Sequence, residues 1–589
     1  MTKVANAFIR GPIVNGLETP VLVDTNYTYP AGSFFVDPKT GNDANPGNLL
    51  QPFQTIAKAI SVCTTASYTI VLRAGTYVES LGTINKRITL QSFPYEEVWL
   101  SGAIPLTGYF TAIGSIWKTP AIYNPSLNRS TTTSALGGGS TPYSYPSDVI
   151  NAAHPMAGNP DQIFINDVPL TQVDALSKVI SGSKTFYVDI TNKILYVGIN
   201  PLASKVDAVW FNQAMTLNAS NSVVKGIGIM RYGCTYNFPK YAALLSSGTA
   251  SGIQISDCTF AYNSSRGLSI NGINSSVTNN IFLYNGSNGA HANTANGLSF
   301  KQNRISFSNN KHYDTTAGAI AQTAGAKLTS SSGMTVSNNT FSYNDCHGLW
   351  FDVSVTASTC ANNMIVYNNG MGVQFEISDG FIAAGNTVAY NSRDGIKIAG
   401  VTNSQFWNNT CYKNTLAQIG LYEDKRTNSQ AFPTWDTKNV LLKNNVLVGE
   451  ANSTQALLKS LDANSPKVAT SNVMASGGLD YNMYIRPSYI MTSKLPVNTH
   501  EWIKTVGSTV RYTSLAAFKS ANTSLEIHGL AYDGIAISTF FQDVTICNFS
   551  PAGFSPIGTN GTIPPASVTT AMGVAAGATR YGALKFMPI

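Results

Sequence analysis

The central part of the chain repeats a short pattern, and this repeat limits the possible folds more than any other feature. In each repeat one Asn follows another after five residues, and a glycine with a short apolar strand comes next. The Asn pairs are Asn280 with Asn285, Asn339 with Asn344, Asn363 with Asn368, Asn386 with Asn391, and Asn409 with Asn414. The glycines that precede the strands are spaced 23 to 30 residues apart and are Gly267, Gly297, Gly325, Gly348, Gly372, Gly395 and Gly420.

This period, together with short strands and polar turns, is typical of a solenoid. We therefore predict an all-β chain that forms a right-handed parallel β-helix with one coil per repeat. Stacked Asn side chains are expected to connect neighbouring coils at the turns. Leucine-rich repeats have a similar period, but their LxxLxL pattern is absent.

Strand alternation predicts which side chains point into the coil. The first and third residues after each glycine are apolar and are expected to face inward, as in Leu349, Phe351, Val373, Phe375, Ile396 and Ile398. The second residues are expected to form one outward column, Ser269, Ser299, Lys327, Trp350, Gln374, Lys397 and Tyr422. The fourth residues are expected to form another, Asn271, Lys301, Thr329, Asp352, Glu376, Ala399 and Asp424.

Two acidic residues share one of these columns although the chain is poor in acids. Asp352 and Glu376 fall on consecutive coils, which lie about 4.8 Å apart, so we expect their Cβ atoms to be about 5 Å apart. Like charges side by side destabilise a sheet. The pair is therefore either balanced by Lys327 and Lys397 or used for chemistry. Glycoside hydrolysis requires two such carboxyl groups.

Composition limits the classes of partner. Charged residues make up 11% of the 589 residues, against about 25% in typical soluble domains, and the net charge of +7 reflects few acids. Without a Lys/Arg run, nucleic-acid binding has little support, and a polar polysaccharide or oligosaccharide is the expected partner. The seven scattered cysteines predict neither a disulfide framework nor a zinc site.

Membrane and export signals are also absent from the sequence. No apolar run reaches the ~18 residues of a membrane span, so no membrane partner is expected. No secretory signal is visible near Met1. We expect an extracellular protein whose signal was removed, or one that leaves the cell another way, for instance in a virion.

Five regions are predicted from where the repeat is present. They are an N-terminal arm at 1–30, a cap with the first coils at 31–108, an inserted β-rich subdomain at 109–210, the central β-helix with the active face at 211–460, and a loop-rich C-terminal region packing on the helix at 461–589. Within them we predict a strand at Phe34–Val36 and short helices at Thr55–Val62 and Ser514–Ser520.

Two segments resemble known families. The opening FFVDPKTGNDANPG, QPFQTIAKAI and IVLRAGTY resembles pectin-lyase-like right-handed β-helix proteins. The later AGAKLT, NNTFSYNDCHGLWFDV and NNMIVYNNGMGVQFEIS resembles β-helix carbohydrate-active proteins, including β-xylosidases of glycoside hydrolase family 120. In that family a GLWLD-type Asp is the nucleophile and a Glu one coil later is the acid/base, which implies these roles for Asp352 and Glu376. The EISDG that follows departs from the family, so no sugar specificity is carried over.

The remaining residues of the face are candidates for substrate binding. Trp350 and Tyr422 could stack on a sugar or be buried, and His347, Gln374 and Asp424 could contact it. Lys327 and Lys397 could balance the acids, contact substrate or act as a base. No cofactor or metal is expected, although Asp37 and Asp43 would suit calcium as well as tight turns.

The prediction for function is a glycoside hydrolase that retains the anomeric configuration, because closely spaced carboxyl groups suit retention. One alternative is a polysaccharide lyase that uses a Lys base, with or without calcium. A second alternative is a phage tailspike or glycan-binding β-helix protein. A secreted enzyme would be a monomer, whereas a virion-associated protein would be a homotrimer.

Overall fold

The computed structural model divides into two compact units, Met1–His291 with Phe307–Thr323 and Ala292–Ser306 with Ala324–Ile589. The residues described are 3–4, 6–64, 67–127, 153–235, 241–313, 323–422, 436–450, 454–461, 474–487, 499–505, 508–553, 555–559, 561–577 and 579–583. No helix among them is both long enough and apolar enough to cross a membrane.

The second unit is built from three parallel sheets, which we call A, B and C. Sheet A contains Ala324–Thr329, His347–Asp352, Val373–Asp379, Ile396–Thr402, Ile419–Tyr422, Leu458–Leu461 and His500–Thr505, with Ser508–Tyr512 added antiparallel. Sheet B contains Ser299–Lys301, Thr335–Ser337, Thr359–Ala361, Ile382–Ala384, Gln405–Trp407, Val440–Lys443 and Met474–Asp480. Sheet C contains Arg304–Ser306, Thr340–Ser342, Met364–Val366, Thr387–Ala389, Thr410–Tyr412, Val446–Val448, Met483–Arg486 and Leu530–Asp533.

The first unit also contains strands of three parallel sheets. The first set is Thr83–Ile84, Met215–Leu217, Ala242–Ser246 and Arg266–Ile270. The second set is Phe34–Val36, Tyr68–Leu72, Ile88–Ser92, Val223–Lys225, Gln254–Ser256 and Ser276–Thr278. The third set is Gly75–Tyr77, Val98–Ser101, Gly228–Met230, Thr259–Ala261 and Ile281–Leu283. The strand Ala290–Asn293 includes the boundary between the units. Each unit thus has the parallel β-helix fold that the repeat predicted.

Two smaller sheets with mainly antiparallel pairing occupy the first unit between residues 103 and 209. One contains Ala103–Pro105, Ile163–Ile165, Val168–Pro169 and Val206–Val209. The other contains Thr111–Ile113, Ile116–Lys118, Thr171–Gln172, Thr185–Asp189 and Ile194–Val197, and a short 3-10 helix lies at Leu176–Lys178. They share a core around Phe186 and Leu195. The strands occur where the sequence predicted a β-rich insertion, whereas the boundaries 109 and 210 stay predictions.

The cap prediction is confirmed at its two elements. Phe34–Val36 is a strand, and the predicted helix forms at Ile56–Val62. Thr55 caps that helix, because its hydroxyl accepts a hydrogen bond from the Lys58 N–H at 3.1 Å. Near the N-terminus, Lys3–Val4 pairs with Leu22–Val23, and Ile13–Val14 pairs with Leu17–Glu18.

The predicted inward residues form the core of the coils. Phe351 and Phe375 are fully buried, and their rings stack with centroids 5.1 Å apart. Leu349, Val373, Ile396 and Ile398 are at most 1% exposed. The alternation that the sequence predicted for these three strands is therefore confirmed.

Buried asparagine ladders connect the coils of the second unit, as predicted. In one ladder the amide of each Asn donates to the Oδ1 of the next at 2.9–3.0 Å, through Asn303, Asn339, Asn363, Asn386, Asn409, Asn445 and Asn482. A second ladder runs through Asn344, Asn368, Asn391 and Asn414 and ends on Gln418.

The second ladder explains the glycine at the start of four strands of sheet A, which are Gly325, Gly348, Gly372 and Gly395. A Cβ on Gly348 would lie 2.8 Å from the Asn368 amide nitrogen, and one on Gly372 would lie 2.8 Å from that of Asn391. Since carbon atoms do not approach this closely, a side chain at these positions would displace the ladder. The Asn and Gly of the repeat are thus two parts of one contact.

The register differs from the prediction at two coils. The strand after Gly297 lies in sheet B, where Ser299 pairs with Thr335 and Lys301 with Ser337, so neither residue belongs to the outward columns. In the last coil Lys397 pairs with Gly420. After Gly297 the step to the next coil is 36 residues, and in the last coil Gln418 occupies the glycine position of the repeat, so a glycine alone does not fix register.

Parallel pairing continues past residue 460, the predicted end of the central helix. Leu458–Leu461 pairs with His500–Thr505, and Met483–Arg486 pairs with Leu530–Asp533. Asn482 continues the first ladder there, but no second Asn follows it after five residues, so the paired pattern did not reveal these coils. The predicted helix near Ser514 is present as Leu515–Ala521.

The end of the chain packs on the coils of the second unit. The helix Ala566–Met572 buries Val568 and Met572 against Ala384 and Trp407. Phe541–Asp543 and Asn548–Pro551 form a hairpin. Short 3-10 helices occupy Ile537–Thr539, Val544–Ile546 and Pro556–Gly558.

Candidate active site

Sheet A of the second unit carries the two candidate acids on neighbouring strands. Asp352 is the last residue of His347–Asp352, and Glu376 lies inside Val373–Asp379. The preceding residues, Phe351 and Phe375, pair directly. Each acid comes directly after one of these paired residues, so the two acids lie at the same level of the sheet and their side chains point to the same side.

The backbone immediately after each acid has an unusual conformation. Val353 has a φ of 48° and Ile377 has a φ of 41°, which is the left-handed region that β-branched residues avoid. Such a residue costs on the order of 1–3 kcal/mol, and such strain clusters at functional sites. The backbone thus departs from regular strand geometry immediately after Asp352 and after Glu376.

Asp352 is buried and ion-paired. Only 6% of its surface is exposed, and its Oδ2 lies 2.8 Å from the Lys327 Nζ, which is itself 2% exposed. The Nζ also lies 3.5 Å from the centroid of the Trp350 ring, in a cation–π contact. The Asp352 Oδ1 is buried and accepts no hydrogen bond from the described residues.

The Oε2 of Glu376 accepts hydrogen bonds from two uncharged donors. The Trp350 Nε1–H donates to this oxygen at 3.0 Å, and the Gln374 Nε2–H donates to it at 2.8 Å. Glu376 is half-buried, whereas Gln374 is 4% exposed. Because Oε2 accepts two hydrogen bonds, a proton on this carboxyl group would be carried by Oε1.

His347 packs beside this cluster as a neutral imidazole. Its Nδ1 accepts a hydrogen bond from the Met371 N–H at 3.0 Å, so its proton is on Nε2. Burial, followed by the charges of Lys397, Arg393 and Lys327, lowers the pKa of His347 to about 3. Its ring meets Trp350 edge-on at 5.3 Å. The imidazole can therefore donate one hydrogen bond but does not carry charge near neutral pH.

Tyr422 occupies a different column from the one predicted. It pairs with Ala399 and so continues the column of Asp352 and Glu376. Its hydroxyl donates to the Asp394 Oδ2 at 2.9 Å, and the Lys397 Nζ lies 5.9 Å from its ring centroid. Gly420 was predicted to open this strand. In the structure Ile419 pairs with Ile396, so Gln418 and not Gly420 occupies the position of Gly395.

Asp394 was missed by the sequence analysis. It is 1% exposed, and burial raises the pKa of its carboxyl group. Burial and the Asp394 carboxylate also raise the pKa of Tyr422. The dipeptide Asp394-Gly395 has the composition of a turn, and this obscured its position beside the face.

One predicted site residue, Asp424, lies outside the described residues, so its position relative to the cluster stays a prediction. Among the described residues no group of three or more His, Cys, Asp or Glu side chains could hold a metal ion. Asp37 accepts a hydrogen bond from Thr40 within its own turn, and Asp43 accepts one from Thr55 at the start of the cap helix.

Comparison with known proteins supports the fold. Residues 242–416 match the family described as right handed beta helix region, and residues 39–85 match one described as a protein of unknown function, DUF1565. No curated protein is similar to this chain. The handedness and class predicted from the repeat are therefore confirmed.

Several solved structures are similar. The complex of XylC with xylose is 15% identical, with 77% of this chain and 83% of that chain covered and a TM-score of 0.59. The mannuronan C-5 epimerase AlgE4 A-module from Azotobacter vinelandii is 12% identical, with 71% of this chain and 85% of that chain covered and a TM-score of 0.38. The Dettilon tailspike protein is 11% identical, with 79% of this chain and 70% of that chain covered and a TM-score of 0.40. The XylC likeness shows the fold.

Proposed function

Because this chain is a right-handed parallel β-helix protein with two acids on adjacent strands, we propose that it is a carbohydrate-active enzyme that hydrolyses glycosidic bonds. The observation that carries the proposal is the contrast between the two carboxyl groups. Asp352 faces an ammonium group, whereas the Oε2 of Glu376 accepts hydrogen bonds from two uncharged donors. Paired acids in different environments are typical of acid/base and nucleophile roles.

In the proposed reaction Asp352 attacks the anomeric carbon, and Glu376 gives its proton to the leaving glycosidic oxygen. The C–O bond breaks and a glycosyl ester forms on Asp352. Glu376 then removes a proton from water, which attacks the same carbon and releases Asp352. Two inversions give net retention. The assignment of the two roles follows the resemblance to family 120.

The environment of Lys327 favours hydrolysis over a lyase reaction. A lyase base must be unprotonated when it attacks, whereas Lys327 forms a buried ion pair with Asp352. Trp350 and His347 are proposed to contact the sugar. We further propose that the protein acts outside the cell, and size measurement would distinguish a monomer from a virion-type trimer.

The test is a screen on polysaccharides and aryl glycosides that records both reducing ends and ultraviolet absorbance. Asp352→Asn should lower kcat by about 10³-fold or more. Glu376→Gln should lower it by about 10²–10⁴-fold on natural substrates. The Glu376 variant should retain activity on substrates with good leaving groups, and azide should restore part of the lost rate.

Asp379→Asn is the matched control, because Asp379 lies on the strand of Glu376 but accepts hydrogen bonds from Thr402 and Asn403. This variant should keep near-native kcat. An inverted product anomer would contradict the proposed mechanism. Full activity of both acid variants, or an unsaturated product absorbing in the ultraviolet, would contradict the proposed function.

A further inference from the structure

The first unit contains a cavity of about 410 Å³. Its lining includes His154, Gln172, Asp174, Lys311 and His312. This volume is within the range of small-molecule sites and accommodates one sugar ring with its substituents. None of the residues assigned above to hydrolysis lines it.

Lys311 brings a positive charge to this cavity and forms no ion pair with a described carboxylate. Its Nζ donates to the backbone carbonyl of Asp161 at 3.1 Å. Burial lowers the pKa of Lys311 to about 8, although the nearby Asp161 carboxylate acts in the opposite direction. Because that carboxylate lies beyond ion-pair distance, a ligand anion in the cavity would still gain a direct charge-assisted contact with the ammonium group.

The nearest acid on the cavity wall does not supply that anion. Asp174 forms an ion pair with Lys178 at 2.7 Å, four residues further along the chain. Those two charges offset each other. The charge left over at the lining is therefore the positive charge of Lys311.

A hydrogen-bond acceptor and two flat rings complete the lining. The Gln172 Oε1 is buried and accepts no hydrogen bond from the described residues. Such an oxygen favours a ligand that brings an O–H donor. The rings of His154 and His312 stack with centroids 4.4 Å apart, and both side chains are exposed at the edge.

We propose that this cavity is a binding site for a hydroxy acid of the uronic-acid type. The carboxylate of the ligand pairs with Lys311, and a ligand hydroxyl donates to the Gln172 Oε1. Both features match the lining, because a neutral sugar forms no ion pair with Lys311 and a simple anion leaves the Gln172 Oε1 without a donor. The site is independent of Asp352 and Glu376.

Calorimetric titration of the full chain tests this. The probes are glucuronate and galacturonate, with glucose and galactose as uncharged controls and inorganic phosphate as a simple anion. We expect saturable binding of a uronate at millimolar concentration, and none of the neutral sugars or phosphate. Lys311→Met should weaken uronate binding by about ten-fold or more.

Two variants control for indirect effects. Lys178→Met removes a lysine of the same cavity that is already paired, and it should change uronate affinity by less than about two-fold. Asp352→Asn should bind uronate like the native chain, which separates this test from that of hydrolysis. Melting temperatures confirm that each variant is folded.

Three outcomes would overturn the proposal. They are no uronate binding by the native chain, equal binding of the neutral sugar or phosphate, and unchanged uronate affinity of folded Lys311→Met. Gln172→Leu provides a second variant if Lys311→Met does not fold. It should also weaken uronate binding.

Discussion

Val353 follows the proposed nucleophile in a conformation that its side chain disfavours, and it is half-buried. Asn adopts left-handed φ more readily than a β-branched residue does. We therefore expect Val353→Asn to raise the free energy of unfolding by about 1 kcal/mol. Urea unfolding measures this change. Val355→Asn is the control, since Val355 is fully buried and the substitution should destabilise. A destabilised Val353→Asn would mean that the conformation is not strained.

Phe375 and Gln374 are neighbours that alternate between the coil interior and the outer side. Phe375 contacts Phe351 and Phe406 with ring centroids 5.1 and 5.2 Å away, so Phe375→Ala should cost about 3–5 kcal/mol. Gln374→Ala should cost about 1 kcal/mol, because it removes one hydrogen bond to Glu376. Equal losses in denaturant unfolding would contradict the observed alternation.

At the scale of elements, each coil of the second unit depends on its neighbours through the Asn ladders. Asn386 donates to the Cys360 carbonyl at 2.8 Å and to Asn409 at 2.9 Å, and it accepts from the amide of Asn363 at 3.0 Å. Removing it leaves buried donors and acceptors unpaired on both sides.

Asn386→Ala should therefore lower the free energy of unfolding by about 3 kcal/mol or more. The exposed Asn369, whose amide donates to Asp345, provides the control. Asn369→Ala should cost less than about 0.5 kcal/mol. Similar losses from the two substitutions, measured by thermal or urea unfolding, would show that the ladder contributes little to coil stacking.

At the scale of the molecule, stability should depend on pH through one buried histidine of the last coils. His500 is fully buried, its two ring nitrogens lack hydrogen-bond partners among the described residues, and it stacks on Phe518 with centroids 4.0 Å apart. Burial lowers the pKa of His500 to about 3. In the unfolded chain the group titrates near 6.5.

The folded state therefore binds fewer protons than the unfolded state between these two pKa values. Neutral His500 makes its full contribution to the free energy of unfolding above pH 6.5. As the pH falls towards 3, this free energy decreases by up to about 1.4 kcal/mol per pH unit. His500→Phe keeps the stacking and should reduce this acid dependence. The free energies of unfolding of the native chain and of His500→Phe, measured from pH 4 to 8, should change in parallel above pH 7. If both change equally steeply with pH below 6.5, His500 is not the source of the acid dependence.

Local repetition allowed much of the β-helix to be predicted. Each correctly predicted feature depends on neighbours in the chain or on the next coil. These features are the Asn and Gly positions, the alternation of Leu349 and Phe351, and the short helices. The strand after Gly297 was assigned to the wrong sheet, because the step to the next coil is 36 residues there and the regular spacing no longer defines register. The coils beyond 460 retain Asn482 but lack the paired Asn five residues later.

The sequence by itself determined the coil and the column shared by Asp352 and Glu376, because periodicity and strand alternation are local properties. Only the tertiary structure decided what those side chains contact. Three contacts depend on side-chain orientation and burial. They are the ion pair of Lys327 with Asp352, the hydrogen bonds from Trp350 and Gln374 to Glu376, and the hydrogen bond from Tyr422 to Asp394. Residues far apart in the chain meet there, and their pairing energies are set by the solvent that the fold excludes.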